Sequence, residues 1–460
     1  MKVLLVKPGN RIADHIQPPL GLAYIAACLK TEHEVEILDM PKYGRNLGYF
    51  KETLHRFKPD IIGFQCYSVE ASETKELVTI SKNSFPSARI IIGGPHPTLC
   101  PEEVMASMGS NVDFLIRGEA ERSFPLLLNN LKQPENFKTI PGLVYRESGE
   151  LKINHPELIQ DLDELPLPSW DLIKPQEYPP AQHGAFFKKF PIAPIITTRG
   201  CPFACTFCTA PILSGNFIRK RSAESVLSEI RVLYYNFGIK EIHIVDDNFT
   251  LDKNHAMSIL KTIRSSGLPI SLAVPNGVRL NTLDEELLDL MKKCGLYLIS
   301  VGIESGSDKT LKRMQKALSV NLIKKKLTLI DNMGIDIAGF FIIGFPDETA
   351  DDIKTTINFS LQLPLLRANY FTFLPLPKTP IYDELKAKGE LNNIVSSKLL
   401  FECAPYAPRG MTHNSLRNFQ REAFLKFYLR PRTLVRNLLK IKSLKHFCYL
   451  VKRFYHWVVM

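Results

Sequence analysis

The stretch Ile195-Ile196-Thr197-Thr198-Arg199-Gly200-Cys201-Pro202-Phe203-Ala204-Cys205-Thr206-Phe207-Cys208 runs from a short apolar segment through a glycine into three cysteines. An apolar, β-branched run stopped by glycine predicts a strand over 195–198 that ends in a loop. Downstream the same alternation repeats. Strand patterns fall at 241–245, 271–274, 297–303, 338–343 and 370–374, and helical patterns at 223–237, 253–265, 284–293, from 308, 350–361 and 381–388. Six βα units stop two short of a closed eightfold barrel, so the spacing predicts a partial (β/α)6 TIM barrel over 191–400. Ligand-binding loops of such folds lie at strand carboxyl ends. Cys201, Asp246, Asp247, Asn276, Glu304 and Gly344 all fall there.

Nine cysteines are present, at 28, 66, 100, 201, 205, 208, 294, 403 and 448. An odd count with no secretory start argues against a disulfide framework, and the six isolated ones read as buried thiols. The other three form C-x3-C-x2-C. Thiolates select zinc or iron–sulfur groups. A structural zinc would need a fourth ligand nearby, and no Cys or His occurs in the thirty residues after Cys208. A [4Fe–4S] cluster held by three thiolates instead leaves one iron open to an outside ligand, a departure from the usual four-cysteine set. Zinc and a chance cluster of buried thiols stand as the alternatives. The other loop residues have plainer readings: Glu304 as a cap of the following helix, Asp246 and Asp247 as solvated acids, Pro275-Asn276-Gly277 as a turn.

Residues 1–145 alternate in the same way, with strands at 2–7, 34–39, 60–66, 88–93 and 112–117 and a helix at 19–30. Each strand at a ligand-facing position ends in turn chemistry: Lys7-Pro8-Gly9, Gly93-Gly94-Pro95-His96 and Arg117-Gly118-Glu119. A Rossmann-like, flavodoxin-like α/β domain is expected, with its ligand at the strand carboxyl ends. Gly93 and Gly94 allow close backbone approach to a large planar group. The proline-rich residues 146–190 read as a linker.

With Phe207 before the third cysteine, Cys201, Cys205 and Cys208 resemble the signature of the radical S-adenosylmethionine (SAM) superfamily. The resemblance implies a [4Fe–4S] cluster whose open iron is chelated by SAM and whose electron generates a 5′-deoxyadenosyl radical. Gly302-Ile303-Glu304-Ser305-Gly306 resembles the motif that meets the SAM ribose. Val245-Asp246-Asp247-Asn248 resembles the one that meets its amino group, and Ile342-Ile343-Gly344-Phe345-Pro346 the adenine-side motif. Asn276 and Arg279 match a third-strand position. Pro18-Pro19-Leu20-Gly21-Leu22-Ala23-Tyr24, Gly93-Gly94-Pro95-His96-Pro97-Thr98 and Arg117-Gly118-Glu119-Ala120-Glu121 resemble the cobalamin-binding domain fused to one branch of that superfamily. The Asp-x-His-x-x-Gly pattern of cobalamin proteins that supply a lower histidine ligand is missing, since Asp14 and His15 are adjacent. A lower cobalt face without protein nitrogen is therefore expected; His15 is the weaker candidate ligand, and His96 is either a cobalamin contact or a satisfied loop histidine.

By this resemblance the chain is a cobalamin-dependent methyltransferase acting on an unactivated carbon through a 5′-deoxyadenosyl radical and methylcobalamin. An oxidative cyclase or rearrangement enzyme without methyl transfer is the alternative within the same architecture. A basic RNA-binding protein with a structural metal site is the distant one. The expected partners are a small-molecule or lipid-like substrate and an electron donor such as flavodoxin or ferredoxin.

The net charge of +11 is unevenly spread. From Ser415 onward, cations at 417, 421, 426, 430, 432, 436, 440, 442, 445, 452 and 453 face one acid, Glu422, leaving the remainder nearly neutral. Apolar residues in this 401–460 tail recur at three and four spacing, which predicts amphipathic helices. Three fates follow: an apolar stripe packed on the barrel, docking at an anionic membrane surface, or, least favoured, RNA contact. The chain lacks any run long enough to span a bilayer, and the charged start Met1-Lys2 precedes too short an apolar window for a signal peptide. A cytoplasmic protein, with peripheral contact at the inner membrane face through the tail, is the expectation.

Overall fold

The computed structural model describes residues 1–9, 16–180, 182–183, 186–391, 399 and 404–459, without the side chains of 445 and 456–459. Its contacts divide the chain into two units, Met1–Pro179 with Ala210–Arg221, and Pro180–Thr209 with Ser222–Met460.

In the first unit, strands β1 (Lys2–Lys7), β2 (Glu34–Asp39), β3 (Ile61–Gln65), β4 (Arg89–Gly93) and β5 (Phe114–Ile116) pair in parallel in the order β2-β1-β3-β4-β5. This is the flavodoxin-like order. Its direction reverses between β1 and β3, which is where ligands of such sheets bind. The aliphatic runs are continuous because both faces are covered: Leu4 and Val6 enter one core with Phe50, Ile62 and Ile90, while Val3 and Leu5 enter the other with Leu22, Phe124 and Leu127.

The segment expected as a linker is largely built into this unit. Strands β6 (Leu143–Glu147) and β7 (Glu150–Ile153) form a hairpin that extends the sheet, antiparallel from β5 outward. Beyond it Trp170 is 2% exposed, and Ile173 and Tyr178 pack with Ala23. The hairpin strands are short and flank Ser148-Gly149, both at positive φ, and the proline-rich residues after them form short helical turns at Leu162–Glu164, Trp170–Ile173 and Pro175–Glu177. A boundary at 145 therefore falls inside a strand.

The second unit holds six parallel strands in chain order: Ile192–Ile195, Glu241–Ile244, Ser271–Val278, Leu296–Glu304, Asp336–Ile343 and Arg367–Thr372. Helices including Ala223–Phe237, Lys253–Ser265, Glu285–Lys293 and Ala350–Gln362 connect them, completing the partial barrel. Three strands differ from expectation, the sixth by beginning at Arg367 rather than Tyr370. The first lies upstream of 195–198 and contains Pro194, tolerated because it is an edge strand paired on one side. The third continues through Pro275-Asn276-Gly277, with its register shifting between Val274 and Val278. A bulge accommodates the proline that lacks a donor.

The tail divides. Its first helix, His413–Tyr428, is part of the barrel: Leu416, Ala423 and Phe427 are fully buried, and Gln420 Nε2 donates to the Tyr370 carbonyl on the sixth strand at 2.7 Å. Helices Pro431–Leu438 and Leu444–Val459 keep much of their apolar surface exposed, Val435 at 56% and Leu444 at 77%. No described helix is long and apolar enough to cross a membrane.

Candidate functional site

The cysteine loop starts at the carboxyl end of the first barrel strand and is pinned at its centre. Thr206 N–H donates to the Met314 carbonyl, and the Thr206 carbonyl accepts from Ile381 N–H, both at 3.1 Å. Phe207 packs edge-on against Phe345, in a cluster with Phe373 and Met314. The barrel thus sets the loop's path. Cys205 is buried, and Cys201 and Cys208 are partly exposed.

Arg279 reaches this loop from the residue after the third strand. Its Nη1 lies 3.3 Å from Cys205 Sγ, its guanidinium stacks 3.7 Å from the centre of the Phe203 ring, and its Nη2 donates to the Lys316 carbonyl. Arg279 is 5% exposed. A fixed cation against a thiolate stabilises the negative charge of a metal–thiolate group.

Lys316 carries the connection onward. Its Nζ sits 2.6 Å from Glu304 Oε1, both side chains nearly buried. Glu304 ends the fourth strand with φ at 64°, and Gln315 and Ala317, flanking Lys316, lie at 51° and 52°. Left-handed backbone at three non-glycine residues is strain held in place by its surroundings. Gly302 leaves the room: a Cβ there would stand 2.4 Å from Glu304 Oε1 and 2.7 Å from Lys316 Nζ. Cys205, Arg279, Lys316 and Glu304 therefore form one connected line. Lys316 was missing from the sequence reading because nothing in Met314-Gln315-Lys316-Ala317 marks it.

The two second-strand acids separate. Asp246 is buried and accepts from Thr197 N–H at 2.7 Å and from both the Thr197 and Thr198 hydroxyls. Burial pushes its carboxyl up to about 6 against those bonds. Its oxygens clamp the neck of the cysteine loop. Asp247 is exposed beside it, with Gly200 N–H 3.4 Å away. Asn276 is exposed, and its Nδ2 donates to the Val245 carbonyl at 2.7 Å. Gly344 turns at φ 74° beneath Leu416, where a Cβ would come within 2.5 Å of Leu416 Cδ2. The following turn is held by Glu348, which accepts from Phe345 N–H at 3.0 Å and is pushed up to about 7 by burial.

The three thiols fit an iron–sulfur group. Among the described residues no three His, Cys, Asp or Glu side chains converge on a single-ion site. A zinc needs its ligands around one atom, whereas a cubane takes each thiolate on a different iron.

In the first unit, Gly94 has φ 105° and its Cβ would stand 3.0 Å from the Cys66 carbonyl, so the β4 turn lies directly against the end of β3. Cys66 N–H donates to the Gly93 carbonyl at 2.8 Å, and His96 N–H to the Cys66 carbonyl at 3.0 Å. Gly93 has only ordinary contact at its Cβ position. His96 is 2% exposed, its Nδ1 is 3.2 Å from Ser68 Oγ, and burial lowers its pKa. His15 lies outside the described residues. This packed, side-chain-poor surface at the sheet's switch side suits a broad planar ligand.

Comparison with known proteins agrees with both units. Residues 195–360 match the radical SAM superfamily and residues 10–128 the B12-binding domain. An uncharacterized methyltransferase of Pyrococcus horikoshii is 32% identical over 459 residues, spanning 98% of this chain and 97% of its own. An anaerobic magnesium-protoporphyrin IX monomethyl ester cyclase of Rubrivivax gelatinosus is 24% identical, over 93% of this chain and 79% of its own. Among solved structures, the cobalamin-dependent S-adenosylmethionine radical enzyme OxsB, with aqua-cobalamin and S-adenosylmethionine bound, superposes with a TM-score of 0.77 at 19% identity, covering 100% of this chain and 72% of its own.

Proposed function

Because this chain belongs to the radical SAM superfamily, in the branch that carries a B12-binding domain, we propose that it transfers a methyl group to an unactivated carbon of a small molecule. The carrying observation is the line from Cys205 through Arg279 and Lys316 to Glu304, built in a chain that also holds the β2-β1-β3-β4-β5 sheet. The family's cofactors are a [4Fe–4S] cluster, SAM and cobalamin, which together supply a 5′-deoxyadenosyl radical and a transferable methyl group.

The chain's own residues hold and aim these groups. Cys201, Cys205 and Cys208 ligate the cluster, with Arg279 as the cation beside it. Glu304, fixed by Lys316, meets the SAM ribose. The exposed Asp247 and Asn276 face its amino end, with Asp246 holding the loop they border, and Gly344 sets the adenine side. Gly93 and Gly94 give cobalamin close approach. His96, held by Ser68, would pack beside it. The RNA-binding reading with a structural zinc has no remaining support beside this family membership.

The substrate we propose is small and apolar, and the electron donor a flavodoxin or ferredoxin. Exposed Leu434, Val435, Leu438, Leu439 and Leu444 among Arg432, Arg436, Lys440 and Lys442 support a peripheral contact of this cytoplasmic enzyme with an anionic membrane face. Ring formation without methyl transfer is the second reading, favoured by the cyclase relative. Anaerobic reconstitution tests the cluster assignment: the protein should take up about four irons and form 5′-deoxyadenosine from SAM. Cys205→Ala should abolish both, and full iron loading in that variant would reject it.

A further inference from the structure

A recess lies at the opposite end of the barrel strands from the cysteine loop, between the sixth strand and the C-terminal helices. Its volume is about 340 Å³, within the usual range for a small-molecule pocket. Phe424, Leu438, Phe447 and Phe454 give it an apolar wall. Two cations, Arg367 and Arg453, stand in this lining. Arg367, the first residue of the sixth strand, is 8% exposed, and burial lowers the pKa of its guanidinium. The Tyr428 hydroxyl is its neutral hydrogen-bond partner, Arg453 adds a second positive field, and among the described residues no carboxylate pairs with it.

A buried cation without an anion strongly destabilises a fold unless something completes it. Here the surrounding wall is apolar and the gap is roomy, so the missing partner combines one negative head with a hydrocarbon body. Leu434, Ile441, Leu450 and Val451 extend that apolar lining. We propose that this recess binds a single anionic amphiphile, its carboxylate or phosphate head on Arg367 and its chain among Phe424, Leu438, Phe447 and Phe454. The site is separate from the radical chemistry and does not depend on methyl transfer. A free long-chain acid and a membrane lipid share the required chemistry.

Calorimetry on the full-length, cluster-loaded protein decides it, with oleate below its aggregation limit, oleyl alcohol, octanoate and phosphatidylglycerol vesicles as probes. Oleate should bind saturably at one per chain, with oleyl alcohol and octanoate each at least tenfold weaker. Arg367→Met should weaken oleate at least tenfold while keeping the iron content and an unchanged or raised Tm, because it removes an unpaired buried charge. Leu438→Trp should block the recess with Arg367 intact. Vesicle binding that is lost in both variants, without oleate binding, would place the source in the bilayer and also support the site. The proposal is overturned if neither probe binds, if binding is indifferent to both substitutions, or if Arg367→Met lowers Tm and leaves oleate affinity unchanged. Should Arg367→Met fail to fold, Leu438→Trp and the oleyl alcohol comparison decide alone.

Discussion

Lys316→Met should be among the most damaging single changes in the barrel that leave every cofactor ligand in place. The substitution keeps side-chain volume but removes the ammonium 2.6 Å from Glu304 Oε1, where the two side chains are only 10% and 8% exposed. Breaking a buried pair while one charge remains costs about 3–5 kcal/mol, most of it from the uncompensated partner. The Lys316 carbonyl that accepts from Arg279 survives the change. Adding Glu304→Gln, which neutralises the orphaned carboxylate, should therefore recover much of the loss, with a coupling of about 2 kcal/mol or more in the double-mutant cycle. Because two units need not unfold together, local stability is the quantity to measure. Hydrogen exchange of peptides from Leu296–Glu304 and Asp336–Ile343 reports it for each variant. A loss below about 1 kcal/mol, or no recovery in the double variant, would refute the idea that this pair holds the site together.

Three further outcomes follow from the same geometry. Glu348, raised to about 7 from the usual 4.5, favours its protonated form in the fold. Its contribution is complete below 4.5 and lost as pH rises through about 7, a decline of about 3 kcal/mol that Glu348→Gln should flatten in pH-dependent unfolding. Arg279→Gln removes the cation 3.3 Å from Cys205 Sγ, so the cluster should be harder to reduce. A tenfold smaller reduced-to-oxidised ratio at fixed potential, about 59 mV, is expected in a potentiometric titration followed by electron paramagnetic resonance, and an unchanged midpoint contradicts the contact. Cobalt(II) spectra of the cobalamin-loaded protein should show no nitrogen splitting that disappears in His96→Ala, since Ser68 and burial keep that imidazole for packing.

The architecture was legible wherever burial on both faces forces uninterrupted aliphatic runs, as at Val3–Val6 and along the fourth barrel strand. It failed at edges. Pro194 masked the first barrel strand, and the short β6–β7 hairpin hid within apparent linker, because edge strands tolerate prolines and need little length. Residues 401–460 read as one basic tail, yet Leu416 packs over Gly344 and makes the first tail helix part of the barrel. At the site, the cysteine spacing and the strand-end acids are local signals. The contact of Arg279 with Cys205 spans 74 positions, and the Lys316 pair depends on left-handed backbone at Glu304, Gln315 and Ala317. Such juxtapositions are properties of the folded barrel. The division of labour between Asp246 and Asp247 likewise depends on which carboxylate the Thr197 and Thr198 hydroxyls capture.

Isotope accounting in the product tests the central reading most directly. The reduced, fully loaded enzyme is given SAM labelled in its methyl group together with a small-molecule extract, and the products are resolved by mass spectrometry. The account predicts one labelled methyl in each product molecule, with S-adenosylhomocysteine and 5′-deoxyadenosine released in equal amounts. Turnover that yields 5′-deoxyadenosine with an unlabelled, ring-closed or rearranged product and no S-adenosylhomocysteine would contradict methyl transfer.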